Sequence, residues 1–259
     1  MSQLFSSDPR FRRVDVIDVP ITATNMADTL GFLEECLDGL KGQYICVSNA
    51  HTCVMAHDDP DYWSCQAESV MSLPDGKPLS VVGRKTVPSM DRVTGPDLMR
   101  EVFARSVEHG WSHFFYGDRQ ETLDALRNAL ESDYQGLVIA GMEPSVFRPL
   151  TAAEKDELAE RISASGADFC WVALGAPRQE VFMHDLKGKT GALMLGVGGA
   201  FNVLAGTVPE APRWMQNLSL EWLYRLIQEP RRLFKRYAVT NTKFLFYLFT
   251  NAKRKKGAR

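Results

Sequence analysis

Phe169–Glu180 reads FCWVALGAPRQE: six apolar residues, a glycine at 175, then Pro177 and the polar run Arg178-Gln179-Glu180. A short apolar run closed by a turn signal is a buried strand, and the polar residues after Gly175 open a helix. The same unit recurs outward in both directions. Downstream, Leu193–Val197 is a second apolar strand, closed by Gly198-Gly199. Upstream lie expected strands at Val14–Val19, Tyr44–Val47, Val70–Leu73, His113–Tyr116 and Leu137–Ala140. Between them, Asn25 caps a helix to about Leu40, Arg119–Leu130 is helical, and Thr151 with Glu154 forms a capping box for a helix to about Ser163. Strands alternating with helices predict parallel strands joined by helical crossovers. The expected fold is α/β, a Rossmann-like doubly wound, mostly parallel sheet. In such sheets ligands bind at the carboxyl ends of the strands, on the loops that lead into helices.

The charge is unevenly spread. Residues 225–259 carry eleven Lys or Arg against one acid, Glu229, which leaves 19 basic against 31 acidic residues in the first 224. The near-neutral total of −2 therefore hides a basic end. Aromatic and aliphatic residues interleave with that charge, above all in Phe244–Phe249, ahead of Lys253, Arg254, Lys255, Lys256 and Arg259. Such a mixture suits an acidic membrane surface or a phosphate-bearing ligand. Composition breaks near Thr207–Arg213, which carries Pro209 and Pro212. Residues 1–206 are thus expected to form an α/β core, and 207–259 a basic helical appendage. The N-terminal MSQLFSSDPRFRR has no apolar segment of a secretory signal, and Phe244–Phe249 is too short to span a bilayer. Five cysteines without CxxC spacing read as reduced, mostly buried thiols. His109 and His113, split by Gly110, make a poor metal pair.

Five loops can carry chemistry. Asn49, after the strand ending at Val47, serves as a helix cap or touches ligand. Pro74-Asp75-Gly76 is ordinary turn chemistry, yet an aspartate there ends a strand, where it could accept a proton. Thr94 and Asp97 cap a helix, which places Arg92 beside a helix N-terminus fit for phosphate. Gln179 stands at the mouth of the Gly175 turn. Gly196-Val197-Gly198-Gly199-Ala200-Phe201 only loosely matches a dinucleotide fingerprint, with Phe201 where the third glycine belongs, but Gly198 permits close approach of backbone to a ligand. The acids Asp58, Asp59 and Asp61 open a helix, where they complement its dipole.

Taken in order, these segments resemble the WecG/TagA/CpsF family of glycosyltransferases. The match runs from Asn49-Ala50 through Leu73-Pro74-Asp75-Gly76, Arg92-Val93-Thr94-Gly95-Pro96-Asp97-Leu98 and Gly175–Glu180 to Gly196–Phe201. It continues through Ala211-Pro212-Arg213-Trp214, Leu220–Leu226 and Glu229-Pro230-Arg231-Arg232 to Arg236-Tyr237. The resemblance implies an inverting transferase that moves a hexose or N-acetylhexosamine-type sugar from a UDP-sugar to a polyprenyl-diphosphate-linked acceptor, in bacterial surface-polysaccharide synthesis. It implies Asp75 as catalytic base, with Asn49, Arg92 and Gln179 in the pocket. It also implies Arg225, Arg232 and Arg236 on the diphosphate, and no cofactor or metal. The implied setting is cytoplasmic, peripheral on the anionic inner membrane, with no nucleic-acid partner. Where relatives often carry Thr two residues before the asparagine, this chain has Val47, so Ser48 is the candidate replacement; Ser80-Val81-Val82 stands where a Trp is common. The competing expectations are an NAD(P) oxidoreductase and a non-catalytic membrane-associated module.

Overall fold

Tyr44–Ser48 (β3) pairs in parallel with Met71–Pro74 (β4) on one side and with Leu193–Gly196 (β8) on the other. These three strands form one side of a six-stranded sheet in a computed structural model that describes residues 11–212, 214–215 and 220–257, with side chains as far as residue 250 and without those of Arg232 and Arg236. Phe169–Ala173 (β7), Ser112–Gly117 (β5) and Val138–Glu143 (β6) complete the order β4-β3-β8-β7-β5-β6, and every neighbouring pair is parallel. The expected Rossmann-like parallel sheet is therefore present. Strand β8 is last in the chain but central in space, wedged between β3 and β7.

Alternation along the strands explains the two layers. In β7, Phe169 and Trp171 join the core that Met26–Leu40 (α1), Gly95–His109 (α5) and Gln120–Asp133 (α6) cover. Cys170 and Val172 point the other way, into the core beneath Ala152–Ala164 (α7) and Arg178–Asp185 (α8). Successive side chains on a strand face opposite sides, so one buried strand feeds both layers. His113 is part of this packing. It accepts from Trp171 Nε1 at 3.1 Å, and burial pushes its pKa down to about 3. It is a neutral core histidine, and His109 stacks on Trp111. Cys46, Cys53, Cys65 and Cys170 are buried free thiols, and burial raises the pKa of each.

The N-terminal segment departs from expectation. The single strand read at Val14–Val19 is a hairpin, Arg13–Val16 (β1) against Val19–Thr22 (β2). Ile17 and Asp18 turn it with φ of 49° and 63°. Two consecutive positive φ values match the twist of paired strands, but neither residue carries the Asn-Gly signal that marks such turns. The hairpin covers a third core, formed with Ala50–Asp58 (α2), Pro60–Ala67 (α3) and Lys77–Gly83 (α4).

After β8 come Ala200–Leu204 (α9), Glu221–Gln228 (α10) and Pro230–Gly257 (α11). Helix α11 lies against α2. Phe244 is buried in the third core, and Thr240 meets His51 Nδ1 at 3.1 Å. Asp58 accepts from Lys243 Nζ and from the Tyr247 hydroxyl, each at 2.6 Å. Phe244–Phe249 is therefore only partly a wedge: Leu245, Phe246 and Phe249 are exposed, while Phe244 is spent on the core. A helix turns successive residues through about 100°, so a six-residue apolar run cannot face one way. The side chains of Arg232, Arg236 and Lys253–Lys256, and the whole of Arg259, lie outside the described residues.

Candidate active site

Strands β3 and β4 end side by side. Asp75 N–H donates to Ser48 O at 2.8 Å, and Val93 N–H donates to Pro74 O at 2.9 Å. These two bonds bring Asn49, Asp75 and Arg92 to one corner of the sheet's carboxyl edge. A Cβ on Gly76 would lie 3.5 Å from Asn49 Cβ, so the two loops touch.

Asn49 is fully a cap. Its Oδ1 accepts from His51 N at 3.0 Å and Thr52 N at 3.3 Å, and Thr52 Oγ1 returns a contact to Asn49 N. The capping box fixes the asparagine while its amide nitrogen remains beside Asp75. Both readings of Asn49 are thus compatible, because a cap commits only the oxygen.

The Asp75 carboxyl is pulled in two directions. Burial raises its pKa above the ordinary carboxylate value, and the charge of Glu221 adds to that; Arg225, Arg92 and a hydrogen bond from Asn49 pull it down. The net shift is upward. Arg92 itself is taken: its Nη1 donates to Glu221 Oε1 of α10 at 2.7 Å. Arg92 is thereby close to the α5 N-terminus, where Thr94 Oγ1 accepts from Asp97 N, but its partner in this structure is a carboxylate from the C-terminal helices. No local signal marks Glu221, because its partner is 129 residues away.

Ser48 does not offer its hydroxyl on the face where Val47 stands. Its hydroxyl points into the core, 2.6 Å from Gln66 Oε1 and 2.7 Å from Ser72 Oγ, and the residue has no exposed surface. Side chains alternate along β3, so Val47 and Asn49 share the face that Ser48 leaves.

On the other side of β3 lies the Gln179 cluster. Gln179 is almost wholly buried. Its Oε1 accepts from Gly175 N at 3.1 Å and its Nε2 donates to Glu180 Oε1 at 2.9 Å. Its amide packs on the β8 loop: a Cβ on Gly198, whose φ is +52°, would sit 3.4 Å from Gln179 Oε1. Gly198 thus serves the close approach of a side chain. The same loop reaches the first corner, since a Cβ on Gly95 would lie 3.3 Å from Val197 O. Phe201, at the fingerprint's third-glycine position, is a fully buried core residue.

Arg225 is exposed on α10, and its charge reaches Asp75. The acids Asp58 and Asp59 are employed otherwise, and Asp61 stands in the first turn of α3. Asp58 holds α11, while Asp59 caps α3 by accepting from Asp61 N and Tyr62 N. Among the described residues no group of three or more His, Cys, Asp or Glu is placed to hold a metal ion.

This geometry can be compared with known proteins. The family model for "Glycosyl transferase WecG/TagA/CpsF family" matches residues 14–258. The N-acetylglucosaminyldiphosphoundecaprenol N-acetyl-beta-D-mannosaminyltransferase of Bacillus subtilis (strain 168) is 30% identical over 218 residues, covering 83% of this chain and 83% of that protein. The match takes in both corners of the site and both C-terminal helices, and on that extent the chain belongs to the WecG/TagA/CpsF family of glycosyltransferases.

Proposed function

We propose that this glycosyltransferase moves a hexose or N-acetylhexosamine-type sugar from a UDP-sugar to a polyprenyl-diphosphate-linked acceptor, with inversion and without a divalent metal. The Bacillus subtilis relative is named for transfer of N-acetylmannosamine to an N-acetylglucosaminyl-diphospholipid, which makes that acceptor class and that sugar the first to test. The observation that carries the reading is Asp75: a carboxyl at the end of β4, raised in pKa by burial, within the field of Arg92 and Arg225. Proton transfer is most effective when the base titrates close to the working pH, and a raised carboxylate moves that way. Asp75 takes the proton of the acceptor hydroxyl as that oxygen forms its bond to the anomeric carbon. The bond from that carbon to the diphosphate breaks, and UDP leaves with its electron pair. Charge on the departing diphosphate needs cations, and Arg225, Arg232 and Arg236 are assigned to it, since guanidinium forks match phosphate oxygens.

Residues 1–206 are read as the catalytic core and 207–259 as the part that completes the site and meets the cytoplasmic face of the inner membrane. Exposed Leu245, Phe246 and Phe249, followed by the basic end, support this. Among the described residues no helix is long and apolar enough to cross a membrane. The family sets aside the oxidoreductase and the non-catalytic module. The test is to offer UDP-glucose, UDP-N-acetylmannosamine and its uronate to an N-acetylglucosaminyl-diphospholipid, with the product's anomeric configuration read by NMR. Transfer with inversion supports the proposal. Transfer only from a donor without UDP, or with retention, overturns it.

A further inference from the structure

Glu180 is the most deeply buried carboxyl in the candidate site, and the reaction as described does not use it. It has no exposed surface, and its Oε2 has no hydrogen-bond partner among the described side chains and backbone. Its Oε1 accepts from the Gln179 amide, and the Tyr62 hydroxyl is within bonding reach of the carboxyl. The groups that face it are the Tyr62 hydroxyl and the Cys65 thiol on α3 and the Cys46 thiol on β3, with no cation among them. A buried acid without a cation is costly to keep unless something is gained by it. Burial raises its pKa to about 7, so the neutral acid is well populated.

The gain is visible in what Gln179 does. An amide can flip end for end, and only its partners decide which end faces where. Glu180 Oε1 is an acceptor and therefore claims the Gln179 nitrogen. The Gln179 oxygen is then left for Gly175 N–H and for the face of Gly198. One amide so oriented ties the loop after β7 to the loop after β8. The β8 loop in turn lies against the α5 N-terminus at Gly95, three residues beyond Arg92.

We infer that Glu180 is a positioning residue for sugar transfer, acting through Gln179 to hold the Gly175 and Gly198 loops in the shape the donor requires. The inference deepens the transferase reading above and rests on it for its kinetic arm. An acceptor at this place is what matters, so glutamine serves in place of glutamate and an apolar residue does not.

The experiment compares the full-length wild type with E180Q and E180L in two arms. Amide hydrogen exchange is read at Gly175, with Val93 as reference, since the Val93 N–H is held by Pro74 O at the other corner. E180L is expected to speed exchange at Gly175 by about tenfold or more relative to Val93, and E180Q to leave that ratio within about threefold of wild type, as loss or retention of a single local hydrogen bond would give. In the second arm, transfer from UDP-N-acetylmannosamine to the N-acetylglucosaminyl-diphospholipid is followed alongside UDP binding by calorimetry. E180L is expected to lower kcat by roughly tenfold or more while the acceptor KM holds, and E180Q to recover at least about a third of wild-type kcat. If exchange in E180L rises equally at Gly175 and Val93, or at neither, Glu180 is only a part of the core and the inference falls. Failure of E180Q to recover kcat overturns it as well. A wild type inert with this donor refutes that choice of donor instead, and the exchange arm still decides the role of Glu180.

Discussion

Asp75 and Glu180 are both carboxyls lifted by burial, and they respond to pH differently. As the proposed base, Asp75 must be ionised to accept a proton. Activity is therefore expected to fall as pH drops through its raised pKa, so the acid limb of kcat/KM should lie above the ordinary carboxylate value of roughly 4. Asp75→Asn should lower kcat by about a hundredfold or more with UDP affinity little changed, as calorimetry beside steady-state kinetics would read; near-normal kcat would return Asp75 to a turn residue. For Glu180 the effect is on stability. Its folded pKa of about 7 exceeds the value of 4.5 it starts from, so between those pH values the folded chain holds a proton that the unfolded chain has lost. Raising the pH across that window destabilises the fold, and above it this group changes nothing more. The expected result is a larger drop in Tm from pH 5 to pH 8 for wild type than for E180Q. Equal drops in the two proteins would mean that Glu180 ionises freely. A fourth residue-scale expectation follows from Asp58, which is occupied by α11, from Asp59, which caps α3, and from Asp61, which stands in the first turn of α3. Turnover should survive exhaustive chelation, and its loss with rescue by Mg²⁺ or Mn²⁺ would give those acids a different part.

Helices α10 and α11 carry the three arginines assigned to the diphosphate. Replacing Arg225, Arg232 or Arg236 with Ala should depress kcat/KM by about ten- to a thousandfold each, the range expected on losing a charge-assisted contact to developing charge. Wild-type kinetics in all three would leave these residues to solvent or lipid. The exposed face of α11 calls for substitution instead of truncation. Cutting at residue 243 also removes Phe244 from the core, and losing a buried phenylalanine costs about 3 kcal/mol or more. Changing Leu245, Phe246 and Phe249 together to serine should abolish co-sedimentation with anionic liposomes while leaving Tm near wild type, and high salt should weaken binding of the intact chain. Binding that survives both would move the membrane contact elsewhere. At this scale the sequence was readable where the signal is local. The strands' apolar runs, the caps Asn25, Thr94 and Thr151, and the Pro-Asp-Gly turn all lie within a few residues of what they specify. It was not readable where partners are distant. Nothing near Arg92 announces Glu221, and the inward turn of Ser48 needed the strand's parity. In the Ile17-Asp18 turn only Asp18 is of a type that readily adopts positive φ, and β-branched Ile17 hides the signal. Gln179 could be placed at a loop mouth, but that it would be buried against Glu180 depended on β8 arriving from the chain's far end.

Over the whole molecule, chain order and spatial order diverge. Strand β8 is the last strand made and sits between β3 and β7, so the two corners of the site share a wall only once residues 193–196 are in place. The acidic first 224 residues and the basic last 35 are likewise joined across a long stretch of chain, as where Lys243 pairs with Asp58. Helix α11 has 28 residues, about 42 Å of rod. It is held along much of its length: Leu233 is buried, Tyr237 meets Trp222 of α10 edge-on, and Thr240, Lys243, Phe244 and Tyr247 fasten it to α2 and the third core. A rod clamped over that length is a cantilever whose last firm support is the Asp58 grip on Lys243 and Tyr247, so a pull on the basic end bears first on Asp58.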